Sequence, residues 1–318
     1  MLLLLLKPKL FSLRNSLNPG IILRRLPFIA IGIVFWILFY IGTYKVLSYV
    51  RGIELFGDPL PRKLFSMTFF SLLGFLILSN IITAISSFYL SRDIPFLLSK
   101  PVETKDILRL KSFESFVNSS WMVLSFMPPV FIAYGANYNA PPGYYFFILA
   151  GFLLFSLMTA GIGASLAHVL TRVFPAKRTR TVLMGLGILL FVAVYFIIKS
   201  ALPQDLSTPE NLMNSIMTLR TESPLLPNYW ITEAVFPLMK NETPSLFYGL
   251  VLLSNCAFFL LLSELLGLWL YRENIEKIQP SGERIKRGVF GEYYPSGLKA
   301  VIYKDIKLYF RDTGQRSQ

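Results

Sequence analysis

Six apolar blocks constrain this chain more than any other feature. Crossing about 30 Å of hydrocarbon at ~1.5 Å per residue takes about 20 residues, and the blocks 27–50, 64–90, 113–135, 144–170, 181–202 and 245–271 all reach that length. Lipid offers the backbone no hydrogen-bond partner, so each block must be a helix or part of a closed barrel. None shows the alternation of barrel strands. The expected fold is therefore an all-α integral membrane protein, a bundle of six transmembrane helices with short interfacial helices. Charged residues make up 15% of the 318 residues, against about 25% in soluble domains, too few to cover a water-facing surface.

The basic residues give the orientation, because loops rich in Lys and Arg stay in the cytoplasm. Most of the 31 fall on one side: Lys7 to Arg25, the loop from Arg92 to Lys111, the loop from Arg172 to Arg180, and the segment after Tyr271. Arg51, Arg62, Lys63, Lys199, Arg220 and Lys240 fall on the other, and Lys45 lies near the outer end of the first block. Both termini are expected inside, in a plasma membrane such as the bacterial inner membrane. Three regions follow: a cytoplasmic interfacial segment 1–26, a six-helix domain 27–271, and a basic tail 272–318. No basic residue precedes the apolar run Met1–Leu6 and no small-residue cleavage site follows it, so a cleaved signal peptide is not expected.

A net charge of +13 raises nucleic acid as a partner. The cations sit in short stretches between apolar blocks, without a basic face or an RNA-binding signature, so the charge is topological and no nucleic acid is expected. Cys256 is the only cysteine and His168 the only histidine. No disulfide can form within the chain, and a metal or haem centre lacks its soft ligands; no cofactor is expected.

Three non-spanning regions add detail. Lys9–Leu17 mixes Leu10, Phe11, Leu13 and Leu17 with Lys9 and Arg14, as a helix on the inner membrane surface does. Between 203 and 244, Pro209 can open a helix carrying Leu212, Met213, Ile216 and Met217, and a second apolar piece holds Tyr229, Trp230, Val235 and Phe236. Both are expected to dip into the outer interface with aromatics at headgroup level. In the inner loop Arg92-Asp-Ile-Pro-Phe-Leu-Leu-Ser-Lys-Pro101, Asp93 can cap a short helix, Pro95 suits its first turn and Pro101 ends it. Phe96, Leu97 and Leu98 would then be exposed to the cytoplasm, and an apolar knob on a polar surface needs a partner.

That loop, placed after the second of six spans, resembles one in the permeases of type-two ATP-binding cassette exporters. There a short cytoplasmic helix with an Asp, a Leu pair and a following Pro docks on the ATPase subunit. The long outer loop between the fifth and sixth spans is similar too. The tail Tyr303-Lys-Asp-Ile-Lys-Leu-Tyr-Phe-Arg-Asp312 and the residues to Gln318 look like the opening of the second half in a two-half branch of such permeases. The resemblance implies the N-terminal half of a longer protein. It also implies that Arg92, Asp93, Pro95, Phe96, Leu97, Leu98 and Pro101 form an ATPase-coupling loop. The implied partners are an ATPase subunit at the cytoplasmic face and a second permease half or second copy.

Candidate chemistry inside the membrane is sparse. No GxxxxGK[ST] loop occurs in the sequence, so ATP hydrolysis is expected in another chain and none in this one. Ala160-Gly-Ile-Gly-Ala164 reads as a site of close helix packing. Glu264 is the only acid well inside a span, where an unpaired carboxylate costs ~3 kcal/mol or more. The favoured reading pairs it with His168 or Lys45, or hydrates it near the interface; the alternative is a substrate-path carboxylate. His168 is expected at the interface, at a helix C-terminus that suits positive charge. Asn80, Thr83, Asn118, Ser119 and Ser120 either bond across helices or, with Glu264, line a polar path. Pro128-Pro129 should bend or end the third helix.

The function expected on these grounds is a membrane-spanning permease subunit that couples a separate ATPase to export. The rivals are a stand-alone channel or secondary transporter, which would normally show paired intramembrane charges or broken helices, and an accessory subunit without transport of its own. A membrane-embedded enzyme lacks the residues for the usual constellations.

Overall fold

The computed structural model describes residues 19–52, 59–173, 185, 187, 188, 191, 192 and 223–278, all within the compact unit Met1–Ile278. The interfacial helix at Lys9–Leu17, the helix opened by Pro209 and the tail from 279 lie outside the described residues. So does the fifth block, apart from the isolated positions just given.

Every regular element described is helical. In chain order they are α1 (Pro19–Arg51), α2 (Pro59–Ile85) with a π-helical turn (Ser86–Leu90), α3 (Ile94–Leu98), α4 (Thr104–Phe126), α5 (Pro128–Tyr138), α6 (Pro142–Val173), α7 (Pro227–Met239) and α8 (Leu246–Ile278). Five stretches are long and apolar enough to cross a membrane: Leu26–Arg51, Pro59–Leu90, Thr104–Tyr138, Pro142–Val173 and Leu246–Tyr271. Among the described residues the count is thus five where the sequence led to six. Hydropathy also placed some ends short. The apolar block near Phe113 is preceded by the segment from Lys105 to Ser112 that Thr104 was expected to open, and the two form one helix, α4, whose first turns carry Lys105, Arg109 and Lys111 while still burying Ile107, Leu108 and Leu110.

Proline and asparagine set the breaks. Pro128 and Pro129 open α5 one residue after α4 ends, as expected from residues that cannot continue a helical ladder. α5 ends at Asn139 in the left-handed conformation (φ 52°), with Ala140 N–H donating to Gly135 O at 2.9 Å. This 6→1 bond closes the helix and turns the chain into α6.

α6 is the central strut, paired most extensively with α8 and then with α2. Two glycines make both approaches possible. A Cβ on Gly161 would lie 2.8 Å from the Phe259 backbone on α8, and one on Gly163 would lie 2.4 Å from Asn80 Cβ on α2. The Gly-Ile-Gly run thus serves close packing on two sides of one helix. By contrast α1 touches the body chiefly through its last turns, where Leu47 and Val50 are buried, and its apolar window is otherwise exposed.

Two buried clusters divide the bundle. At the far end, away from Arg92 and Lys100, the core joins α2, α5, α6, α7 and α8 and is dominated by aromatic rings. Phe69 stacks on Phe131 at 5.6 Å and meets Phe155 edge-on at 5.3 Å. α7 enters this core with Ile231, Val235, Phe236 and Met239 all buried, and Asn228 Nδ2 donates to Ser66 Oγ of α2 at 2.9 Å. It is therefore part of the body rather than an interfacial float. At the basic end a second cluster holds Ile81, Phe88, Tyr89, Leu97, Leu108, Ala167 and Tyr271.

Candidate functional site

At the basic end, α3 is tied to α4 by a buried cation. Lys111 is 0% exposed, and its Nζ donates to Asp93 Oδ2 at 2.7 Å and Oδ1 at 2.8 Å, and to Glu114 Oε2 at 3.0 Å. Ser91 Oγ donates to the same Asp93 carboxylate. Asp93 does stand at the N-cap of α3, but its side chain makes no cap bond; Lys111 has taken it. Partial burial pushes the Asp93 carboxyl up, yet the Lys111 and Ser91 hydrogen bonds and the Lys111 charge outweigh this and hold it below its ordinary value.

The loop residues divide between two faces. Ile94 and Leu97 are buried, Leu97 within the basic-end core, whereas Phe96 is 62% exposed and Leu98 43%. Arg92, Pro95 and Pro101 are exposed as well. The expected three-residue knob is thus reduced to Phe96 and Leu98, because the first turn of α3 spends Leu97 on holding the helix down.

Above this anchor lies a buried hydrogen-bonded chain. Tyr89, brought inward by the π-helical turn, meets His168 Nδ1 of α6 through its hydroxyl at 2.6 Å. Asn274 Nδ2 of α8 donates to Tyr89 Oη at 3.1 Å, to Thr171 Oγ1 at 3.0 Å and to His168 O at 3.1 Å. With Asn274 donating to Tyr89 Oη, a Tyr89 proton given to His168 Nδ1 would put the His168 hydrogen on Nε2. His168 is 1% exposed, so it is an interior link between α2, α6 and α8 and not an interfacial group.

Glu264 is paired, though not with His168 or Lys45. Its Oε1 accepts from Arg109 Nε and Nη2, each at 3.0 Å, and lies 3.6 Å from Lys105 Nζ, with the carboxylate 22% exposed. The bridge joins α8 to the first turns of α4, a stretch expected to precede the span.

The remaining polar residues do not assemble with Glu264 into one path. Asn80 accepts from Ser119 Oγ through Oδ1 and donates to Leu76 O, and Thr83 Oγ1 lies 3.3 Å from Ser115 Oγ, so both serve the α2–α4 contact. Asn118 is exposed on the opposite face of α4. Sequence reasoning did not single out Lys111, Tyr89 or Asn274. A signal for Lys111 was present: it stands three and four residues after Leu108 and Ile107, on the same apolar helix face. For Asn274, ending the last span at Tyr271 concealed that the helix runs on to Ile278.

A family model described as "Putative ATP-binding cassette" matches residues 16–318. No curated protein and no solved structure is significantly similar to the chain. The family match overturns three expectations: that the chain is a permease of the type-two exporter kind, that its role is to couple hydrolysis by a separate ATPase subunit, and that it is itself no enzyme. Those expectations leaned on an absent loop motif and on a resemblance carried by the six-span layout, the Arg92–Pro101 loop, the long outer loop and the Tyr303–Gln318 tail. An absent GxxxxGK[ST] does not exclude nucleotide, because helix N-termini and clustered cations also hold phosphates.

Proposed function

We propose, on the premise that the chain belongs to this ATP-binding cassette family, that it is a membrane-embedded component of an ATP-driven transport assembly. One observation carries the reading: the match runs from residue 16 to 318 over a chain with five helices long and apolar enough to cross a bilayer. The basic flanks of those helices support a plasma-membrane location with the Arg92–Lys111 face in the cytoplasm. The apolar block at 181–202 supplies a sixth crossing on the same reading, dividing the chain into a leading segment 1–26, a membrane domain 27–271 and a tail 272–318.

Within that assembly, the segment from Arg92 to Pro101 is the point of contact with another component. Phe96 and Leu98 face outward while Asp93, Ile94 and Leu97 are fixed to the bundle. A push on the exposed pair therefore reaches α4 through the Lys111 bridge instead of being lost in a floppy loop. Asn80 and Thr83 hold α2 to α4 along the same line.

The test is to purify the chain from its own membranes with whatever remains bound, and to expose it to a photoreactive ATP analogue. ATP turnover by the preparation is expected, and the labelled peptide identifies whether nucleotide sits on this chain or beside it. No turnover and no label in any preparation overturns the reading.

A further inference from the structure

We infer that the cleft between α4, α6 and α8 is a lipid site that takes the head end of one anionic lipid, its ester or phosphate oxygen and the first carbons of an acyl chain whose remainder lies outside. It rests on the membrane placement above, and on neither nucleotide nor transport. The cavity measures about 200 Å³ and is walled on its apolar side by Phe113, Phe116, Leu157 and Leu260. Its polar lining comes from Arg109, Ser263, Glu264 and His168.

Two features make it more than a packing defect. His168 lines the cavity, and its Nε2 is buried with no hydrogen-bond partner among the described residues. With Tyr89 donating to Nδ1, Nε2 carries the hydrogen and presents a donor without an acceptor. A buried donor left unmet costs about as much as a lost hydrogen bond, which favours an acceptor oxygen arriving from outside. Gly267 packs closely against the same nitrogen, and a Cβ there would lie 3.1 Å from it.

Size and charge narrow the class of ligand. Closed sites for whole small molecules run from about 300 Å³ upward, so this cleft holds one end of something whose remainder lies outside. Phe113 is 54% exposed at its edge and Leu260 39%, so in a bilayer what lies outside is acyl chain. Arg109 and Lys105 bring two positive charges against the single carboxylate of Glu264, leaving one net positive charge for an anionic headgroup. The ligand class that fits is an anionic lipid whose ester or phosphate oxygen accepts from His168.

The full chain, reconstituted in phosphatidylcholine vesicles carrying a diazirine-bearing phosphatidylglycerol, provides the test. Labelling should concentrate on peptides spanning 157–168 and 260–268. Leu260→Trp should fill the cleft and abolish that labelling. His168→Phe should weaken it about fivefold, the worth of one hydrogen bond, and Arg109→Gln should remove the preference for anionic over zwitterionic probe. Because His168→Phe also disturbs Tyr89, Gly267→Ala serves as a second variant that covers Nε2 and leaves the ring in place. A diazirine fatty acid run in parallel separates recognition of the phosphate from recognition of an acyl carboxylate. Uniform labelling along the exposed face of α1, or cleft labelling that survives Leu260→Trp, overturns the proposal whatever the ATP result.

Discussion

The two halves of the bundle are held together by different means. At the far end Phe69, Phe131, Phe152 and Phe155 meet edge to face and face to face, and the contacts are dispersion forces between shapes. At the basic end Tyr89, His168, Thr171 and Asn274 meet through hydrogen bonds, while Lys111, Asp93 and Glu114 meet through charge. Lipid is as apolar as a phenyl ring, so the first kind of core gains nothing from hiding from solvent and depends on fit alone. The second kind is directional: each bond is made or unmade, which gives that half discrete arrangements to move between. The shape-packed end and the hydrogen-bonded end thus lie at opposite ends of the bundle.

The comparison breaks first if cavities are tolerated at the far end. Phe69→Ala should cost roughly 3–5 kcal/mol, seen as the largest fall in thermal midpoint of the detergent-purified chain; a cost below about 1 kcal/mol would mean that the aromatic cluster is not what orders that half. Lys111→Met should cost about 3 kcal/mol, because removing one partner leaves Glu114 and Asp93 facing each other without their cation. Its signature is local: proteolysis at the loop from 91 to 103 should accelerate while the far end keeps its protection. Isosteric swaps then sharpen the contrast. Tyr89→Phe removes one oxygen but strands His168 Nδ1, for roughly 1–3 kcal/mol, whereas Met158→Leu in the far-end core should stay under about 1.5 kcal/mol. Equal costs for the two swaps would erase the distinction.

The division between halves also explains what the sequence could disclose. Hydropathy located the five described spans because twenty apolar residues in a row leave one physical solution. The Gly161-Ile-Gly163 run was readable as close packing for the same reason: two missing side chains in an apolar helix do little else. Directional bonds are less legible. Nothing local in Leu97 distinguishes it from Leu98, yet one is buried and the other exposed, because only the turn of α3 against α4 decides. His168 looked interfacial from its distance to the span end, and Tyr89 carried no mark that a π-helical turn would rotate it inward. Glu264 was recognised as needing a cation, but Arg109 lay in the segment Lys105 to Ser112 that Thr104 was expected to cap ahead of the span, and only the packing of that segment against α8 brings the two together. Function was least legible, since a motif search weighs one loop whereas the family match weighs nearly the whole chain.

The smallest effect tests whether the basic end can be switched. Asp93 lies outside the spans, and Lys111 and Ser91 hold its carboxyl below the ordinary range. A depressed carboxyl contributes stability that is complete above the usual carboxylate range and is lost only as pH falls through the lowered value. Amide exchange in α3, where Leu97 N–H donates to Asp93 O and Ser99 N–H to Pro95 O, should therefore be unchanged from neutral pH down to the usual carboxylate range. Below that, after correction for intrinsic rates, it should rise, while amides in the middle of α6 stay protected. Asp93→Asn should show the acid-side exchange at every pH and lose the transition. Were α3 protection to fall near pH 6 instead, the Lys111 bridge would not be what holds the helix, and a push on Phe96 and Leu98 would have no rigid path into α4.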